Sequence, residues 1–385
     1  MKILIAPDAF KESLEALEVC RAIQSGFEQV LPDADYTLLP MADGGEGTAS
    51  ILSYALGGRW KDVIVNDPLM RPITAKYLLL PDNTAVIEIA QACGLHLLTS
   101  EERHPLITSS YGVGELIADA LGEGVKRIII GLGGSATNDA GLGMLMALGM
   151  AFYDAKGQAL AQGGSELAHL RRIDAVRLHP KVLDTGFEVA CDVTNPLCGS
   201  SGASAVFGPQ KGANSQQVQL LDKALSHFAL VSGQHGYQDY QNIAGAGAAG
   251  GLSFALMTFC AAKLQSGFDT VAEAVSLDKH IAHADLVITG EGKLDAQSAM
   301  GKVAGGISQL AKAHGKPVIA ICGSVNGLNP AQSAQFDIVV PSIQKLDTVD
   351  KVLKSGYENV ETTAMNIAAA MRLGRNLYCK EWVCW

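Results

Sequence analysis

Five loops, four of them glycine-lined, hold most of the residues in this chain that could do chemistry: APDAFKESL (6–14), MADGGEGT (41–48), GLGGSATNDAGLG (131–143), CDVTNPLCGSSGA (191–203) with FGPQKGA (207–213), and TGEGKLDAQSAMGK (289–302). Most pair a carboxylate with glycine, a small hydroxyl, an amide or a lysine. Many carboxylates, backbone donors and a few lysines around one cleft are what a magnesium-bound polyphosphate needs. Mg²⁺ takes one or two protein carboxylates and keeps water and phosphate oxygens for the rest. Glycine loops present N–H groups to phosphate, and helix N-termini add partial positive charge. In phosphoryl transfer the protein mainly aligns the reactants and neutralises charge, so this inventory suits that reaction.

Each candidate has a role and a plainer alternative. Lys11, beside Asp8 and Ser13, could meet a phosphate or a substrate carboxylate, or be a solvated lysine near a helix start. Asp43 and Glu46 could bind Mg²⁺ or substrate hydroxyls, or serve a turn. Gly133, Gly134, Ser135, Thr137 and Asn138 could wrap a phosphate with Asp139 near the metal, or form a tight capped turn. Asp192, with Asn195 close by, is a candidate general base, and Lys211 could neutralise the moving phosphoryl group; capping by Asp192 competes. Glu291 or Asp295 is assigned to Mg²⁺, with Gln297, Ser298 and Lys302 on the nucleotide phosphates. Arg71 could fork onto a substrate carboxylate or form a surface ion pair.

These loops follow short apolar runs: KILIAP, YTLLPM, RIIIGLG, FEVACDV, ADLVITGEG, PVIAICG and FDIVVPS. Continuous apolar character predicts strands buried on both faces, hence an α/β fold with parallel strands. Residues 61–94 break the rhythm, because NDPLMRP and PDNT are too short for crossover helices and predict antiparallel hairpins. The expected organisation is a discontinuous α/β domain, 1–65 plus 285–385, around an inserted α/β domain, 66–284.

Glycine is abundant, 42 of 385 residues, against ~7% in average usage. A net charge of −10 without a basic run argues against nucleic acid. Eight scattered cysteines with no CxxC read as reduced thiols in a cytoplasmic protein. His280 and His283 form an HxxH with no third ligand at metal spacing, so a helix face is expected. Residues 244–262 are uncharged, but AGAGAAGG is weakly apolar, and a buried helix behind a glycine loop is expected rather than a membrane span.

The familiar nucleotide signatures GxxxxGK[ST] and HRD with DFG are missing. GLGGSA with Asp154 downstream satisfies a dinucleotide fingerprint, which keeps an NAD(P)-dependent 2-hydroxy-acid oxidoreductase open; a non-catalytic metabolite or nucleotide sensor is the other alternative. The chain resembles the type I glycerate kinase family in eight blocks: APDAFKESL, ADGGEGT, NDPLMRP, GLGGSATNDAGLGM, CDVTNPLCGSSGA, FGPQKGA, GAGAAGG and DLVITGEGKLDAQSAMGK. Ala140 stands where that family often has glycine, and the closing YCKEWVCW is atypical. The resemblance implies two α/β domains, one flavodoxin-like and one restriction-enzyme-like, with the active site in the cleft between them. It implies ATP and D-glycerate as substrates, Mg²⁺ as cofactor, and 2-phosphoglycerate and ADP as products. Homo-oligomerisation is compatible with the sequence.

Overall fold

The computed structural model describes residues 1–45, 47–295 and 302–381, with side chains through Leu377. The chain divides into two units, Met1–Asp43 with Val271–Trp385, and Gly44–Thr270. The sequence reading placed these divisions at 65 and 285. The difference has a simple cause at the first boundary: strand Arg59–Asn66 pairs along its whole length with Pro72–Leu79, so the segment before residue 66 belongs to the inserted unit. At the second boundary, strand Lys263–Gln265 is the last to join the inserted unit's sheet.

In the first unit a five-stranded sheet runs Ile338–Pro341, Val318–Cys322, Leu286–Thr289, Lys2–Ile5, Asp35–Leu38. Every pairing is parallel. The inner strands Leu286–Thr289 and Val318–Cys322 are buried at every residue, which is why their sequences are continuously apolar. Helix Ala16–Glu28 starts at a capping box made by Glu15 and Glu18. Its Val19, Cys20, Ile23 and Phe27 recur at helical spacing and are fully buried. This helix packs on the long helix Gly356–Glu381, and a Cβ on Gly26 would lie 2.3 Å from the Glu361 carbonyl oxygen. Because all five strands are parallel, their carboxyl ends open on one side of the sheet, the side where ligands of such folds collect.

The second unit has a six-stranded sheet, ordered Lys263–Gln265, Gly186–Ala190, Arg127–Gly131, Thr84–Glu88, Pro72–Leu79, Arg59–Asn66. The first four are mutually parallel and the last two join antiparallel, so the predicted hairpins are present. The uncharged stretch forms the buried helix Ala248–Cys260, entered through left-handed Ala249, Gly250 and Gly251. Gly250 is indispensable there, since a Cβ would sit 2.1 Å from the Thr137 carbonyl oxygen. Among the described residues no helix is long and apolar enough to cross a membrane.

Candidate active site

A cavity of about 540 Å³ opens at the carboxyl ends of the first unit's strands. Asp8, Lys11, Asp43, Glu291, Asp295 and Lys302 line it. Strand Lys2–Ile5 runs out into Pro7 and Asp8, and the Asp8 N–H donates to the Gly290 carbonyl oxygen at 2.8 Å, tying two strand exits together. Phe10 and Leu14 then exchange backbone hydrogen bonds at 2.8 and 2.9 Å around a turn whose Glu12 is left-handed, φ 65°. Lys11 sits on this turn, exposed. The Glu291 loop fits because its flanks lack side chains. A Cβ on Gly290 would lie 1.9 Å from the Ile321 carbonyl oxygen, and one on Gly292 would lie 3.2 Å from Phe10 Cα.

The charges converge. Burial, then repulsion from Asp43 and Glu291, pushes the Asp8 carboxyl up to about 7, against a smaller pull from the backbone N–H of Ala9 and from Lys11. Asp295 lies 3.8 Å from the Lys293 ammonium. Lys302 occupies the N-cap position of helix Val303–Ala313, so its ammonium and the helix N-terminus bring positive charge to the same cavity.

Magnesium fits this donor set. The groups are hard oxygen donors, and Asp43 and Glu291 both raise the pKa of Asp8, so negative charge gathers there. Among the described residues no three acids, histidines or cysteines form a ready cage. A cation that keeps most of its waters and phosphate oxygens does not need one.

The other sequence candidates are placed differently. Ser13 lines the cavity, yet its Oγ donates to the Leu353 carbonyl oxygen at 2.7 Å, so its hydroxyl proton is committed to holding the turn. The loop at 131–143 lies in the second unit and is built around itself. Ser135, Thr137 and Asn138 are buried, and only Gly133 and Gly134 reach the surface. Lys211 is buried beneath it, and its Nζ donates to Ser135 Oγ at 2.9 Å and to the Thr137 carbonyl oxygen at 2.7 Å. Asn138 donates to Ser204 Oγ at 3.0 Å. Asp139 is buried and accepts from Ser110 N–H and Oγ, Gly143 N–H and Gly141 N–H at 2.8 to 3.2 Å. Burial raises its pKa and these donors oppose the rise. Two of these donors, Gly141 and Gly143, stand at the start of helix Leu142–Ala147.

Asp192 is exposed in the second unit and accepts from the Gly267 N–H at 2.9 Å; Asn195 donates to the Ser201 carbonyl oxygen at 2.7 Å. Arg71 spends its fork inside its own unit, Nε on Asp67 at 2.5 Å and Nη1 on Glu102 at 2.6 Å. These contacts are those of the ion-pair alternative. Arg71→Ala should leave the KM for a carboxylate substrate within about twofold, a result steady-state kinetics would check. Glu46, Gln297 and Ser298 lie outside the described residues. Sequence reasoning passed over Lys293, Ser342, Lys345 and Asn359, which also line the cavity. Lys293 and Ser342 sit inside or just after recognised strand ends and were findable; Asn359 lies on the C-terminal helix and gave no signal.

The dinucleotide alternative loses its geometry. The strand that follows the glycine loop, Ala151–Tyr153, pairs antiparallel with Arg172–Asp174, and Asp154 turns back on the N–H groups of Lys156 and Gln158. Arg127–Gly131 lies between two parallel neighbours, Thr84–Glu88 and Gly186–Ala190, so Asp154 is not at the end of the strand beside the glycine loop.

Fold and cavity define an α/β protein with a cavity lined by carboxylates and lysines beyond the carboxyl ends of parallel strands. The glycerate kinase family matches residues 3–372. A glycerate kinase of Haemophilus influenzae is 48% identical over 96% of this chain and 99% of its own length. The glycerate 2-kinase of Escherichia coli K12 is 46% identical over 97% and 99%. A crystal structure from Salmonella typhimurium LT2, described as a candidate glycerate kinase 2, superposes with TM-score 0.89 at 48% identity, covering 98% of this chain and 99% of that one. The chain belongs to the glycerate kinase family.

Proposed function

We propose that the protein transfers the γ-phosphoryl group of ATP to a hydroxyl of D-glycerate, giving 2-phosphoglycerate and ADP. The observation that carries this reading is the single cavity gathering Asp8, Lys11, Asp43, Glu291, Asp295 and Lys302 in a member of this family. Asp8 is the carboxylate we assign to receive the hydroxyl proton: its raised pKa suits a base working near neutral pH. Lys11 and Lys302 neutralise oxygens of the phosphoryl group and the substrate carboxylate. Asp43 orients the substrate hydroxyls. Glu291 and Asp295 would hold Mg²⁺, which when bound draws charge from the phosphate oxygens. The turn tied by Ser13 fixes Lys11, so positioning rather than covalent chemistry is the chain's contribution. The six described cysteines are free, in keeping with a reducing cytoplasm.

Purified protein with ATP, Mg²⁺ and D-glycerate should form ADP and 2-phosphoglycerate, read by phosphorus NMR. A 3-phosphoglycerate signal would overturn the position of transfer, turnover of L-glycerate alone would overturn the enantiomer, and no transfer would overturn the reading.

A further inference from the structure

A second cavity in the first unit, of about 360 Å³, shares no lining residue with the active-site cavity. Lys2, Asp35, Ser276, Lys279, His280 and His283 line it. Three segments distant in the chain meet there. Parallel pairing sets Lys2 opposite Asp35 at the edge of the sheet, and helix Leu277–His283 supplies the second lysine and both histidines. The chain as a whole carries 39 acidic against 29 basic side chains, so a cavity with two lysines, two histidines and one carboxylate runs against its overall charge.

Nothing nearby neutralises that charge. Among the described residues neither Lys2 nor Lys279 forms a side-chain ion pair. The adjacent acids are engaged elsewhere: Asp285 accepts from the backbone N–H of Lys2 at 2.8 Å, and Asp278 pairs with His314 at 2.7 Å. His283 Nδ1 lies 2.7 Å from the Lys279 carbonyl oxygen, which can only accept, so Nδ1 carries the hydrogen and Nε2 is the ring atom left for an outside partner. Histidines in the last turn of a helix complement its dipole, which accounts for His280 and His283 but not for Lys2, brought from the sheet to the same cavity. We propose that this cavity binds a small phosphate-bearing anion, either free phosphate or a phosphomonoester. The two ammoniums and the Ser276 hydroxyl are donors for its oxygens, and like charges gathered round one hollow are relieved by an anion. Asp35 sets the selectivity: a carboxylate accepts the hydrogen that inorganic phosphate retains at neutral pH and repels sulfate, which has none.

Histidine offers a local reporter, because no histidine lines the active-site cavity. The ring C–H signals of His280 and His283, assigned through His280→Gln and His283→Gln, are followed by NMR in the full chain at neutral pH. Inorganic phosphate, 2-phosphoglycerate, sodium sulfate and sodium chloride are titrated at matched ionic strength, so that screening alone is held constant. Expected are saturable shifts of both histidines with phosphate, and a Kd at least about tenfold weaker in Lys279→Glu. Lys279 is exposed on its helix and lines no part of the active-site cavity, so kcat in this variant should stay within about twofold of the parent. Lys279→Arg should bind phosphate like the parent. Tighter binding of 2-phosphoglycerate than of phosphate supports the site and makes its ligand a phosphomonoester; the reverse supports it with free phosphate as ligand. Signals that do not move, that move equally with chloride or sulfate, or that give the same Kd in folded Lys279→Glu overturn the proposal, whatever reaction the other cavity performs.

Discussion

Asp8→Asn is expected to lower phosphoryl transfer by about 10²- to 10⁴-fold while making the protein harder to unfold at neutral and alkaline pH. Both effects come from one carboxylate placed where burial and two acidic neighbours, Asp43 and Glu291, oppose its charge. An amide keeps the shape and can still accept the Ala9 N–H, but takes no proton and repels nothing. The sign follows from proton counting. With its folded pKa raised from 3.8 to about 7, the folded state binds more protons than the unfolded one between those values, so the carboxylate costs nothing below about pH 4 and its full amount above pH 7. The gain from Asn should thus be on the order of 4 kcal/mol at pH 8 and vanish towards pH 4. Urea unfolding in magnesium-free buffer at the two pH values, beside steady-state kinetics, measures both. A variant that is inactive and also less stable at pH 8 would show that the carboxylate holds the fold instead.

Lys211→Ala should destabilise the protein by about 3 kcal/mol, while each molecule that remains folded keeps its turnover within about tenfold. The lysine was expected to meet the moving phosphoryl group. Instead its ammonium is enclosed beneath the glycine loop, donating to Ser135 and Thr137. Removing it leaves a cavity and strips a buried carbonyl and a hydroxyl of their donor. Burial lowers its pKa from 10.5 to about 8, with Cys93 and Asp139 pulling the other way. Here the unfolded state binds more protons between those values, so stability should rise as pH climbs from about 8 to 10.5 and level off beyond. Lys211→Met, which fills the space without a charge, should flatten that rise in a series of melting temperatures. A Lys211→Met variant with native stability but turnover reduced a thousandfold would return the residue to the chemistry.

The strands were legible because burial writes itself into composition: VIAIC and LVIT are apolar throughout since both of their faces are covered. The hairpins were legible for the opposite reason, connections too short to hold a helix. What sequence could not distinguish was direction. Asp8 and Asp139 both lie in loops that follow apolar strands; one lines a cavity and the other points inward to four donors, and the local letters do not say which. The decision is made by distant residues, Ser110 in one case and Asp43 with Glu291 in the other, which approach only in three dimensions. The ion pair of Arg71 with Glu102 was hidden for the same reason, since the two lie 31 residues apart.

Tying the two termini into one sheet also has a consequence for biosynthesis. The backbone N–H of Lys2 is paired with Asp285, 283 residues later, and strand Lys2–Ile5 lies between a partner made early and one made late. On the ribosome, the continuous stretch Gly44–Thr270 can settle as soon as it emerges, whereas the leading 43 residues must wait with strand edges bare until the closing segment arrives. Nascent chains stalled just past residue 270 should accordingly yield a protease-resistant core that lacks its own N-terminus, and the early residues are where a chaperone would be needed.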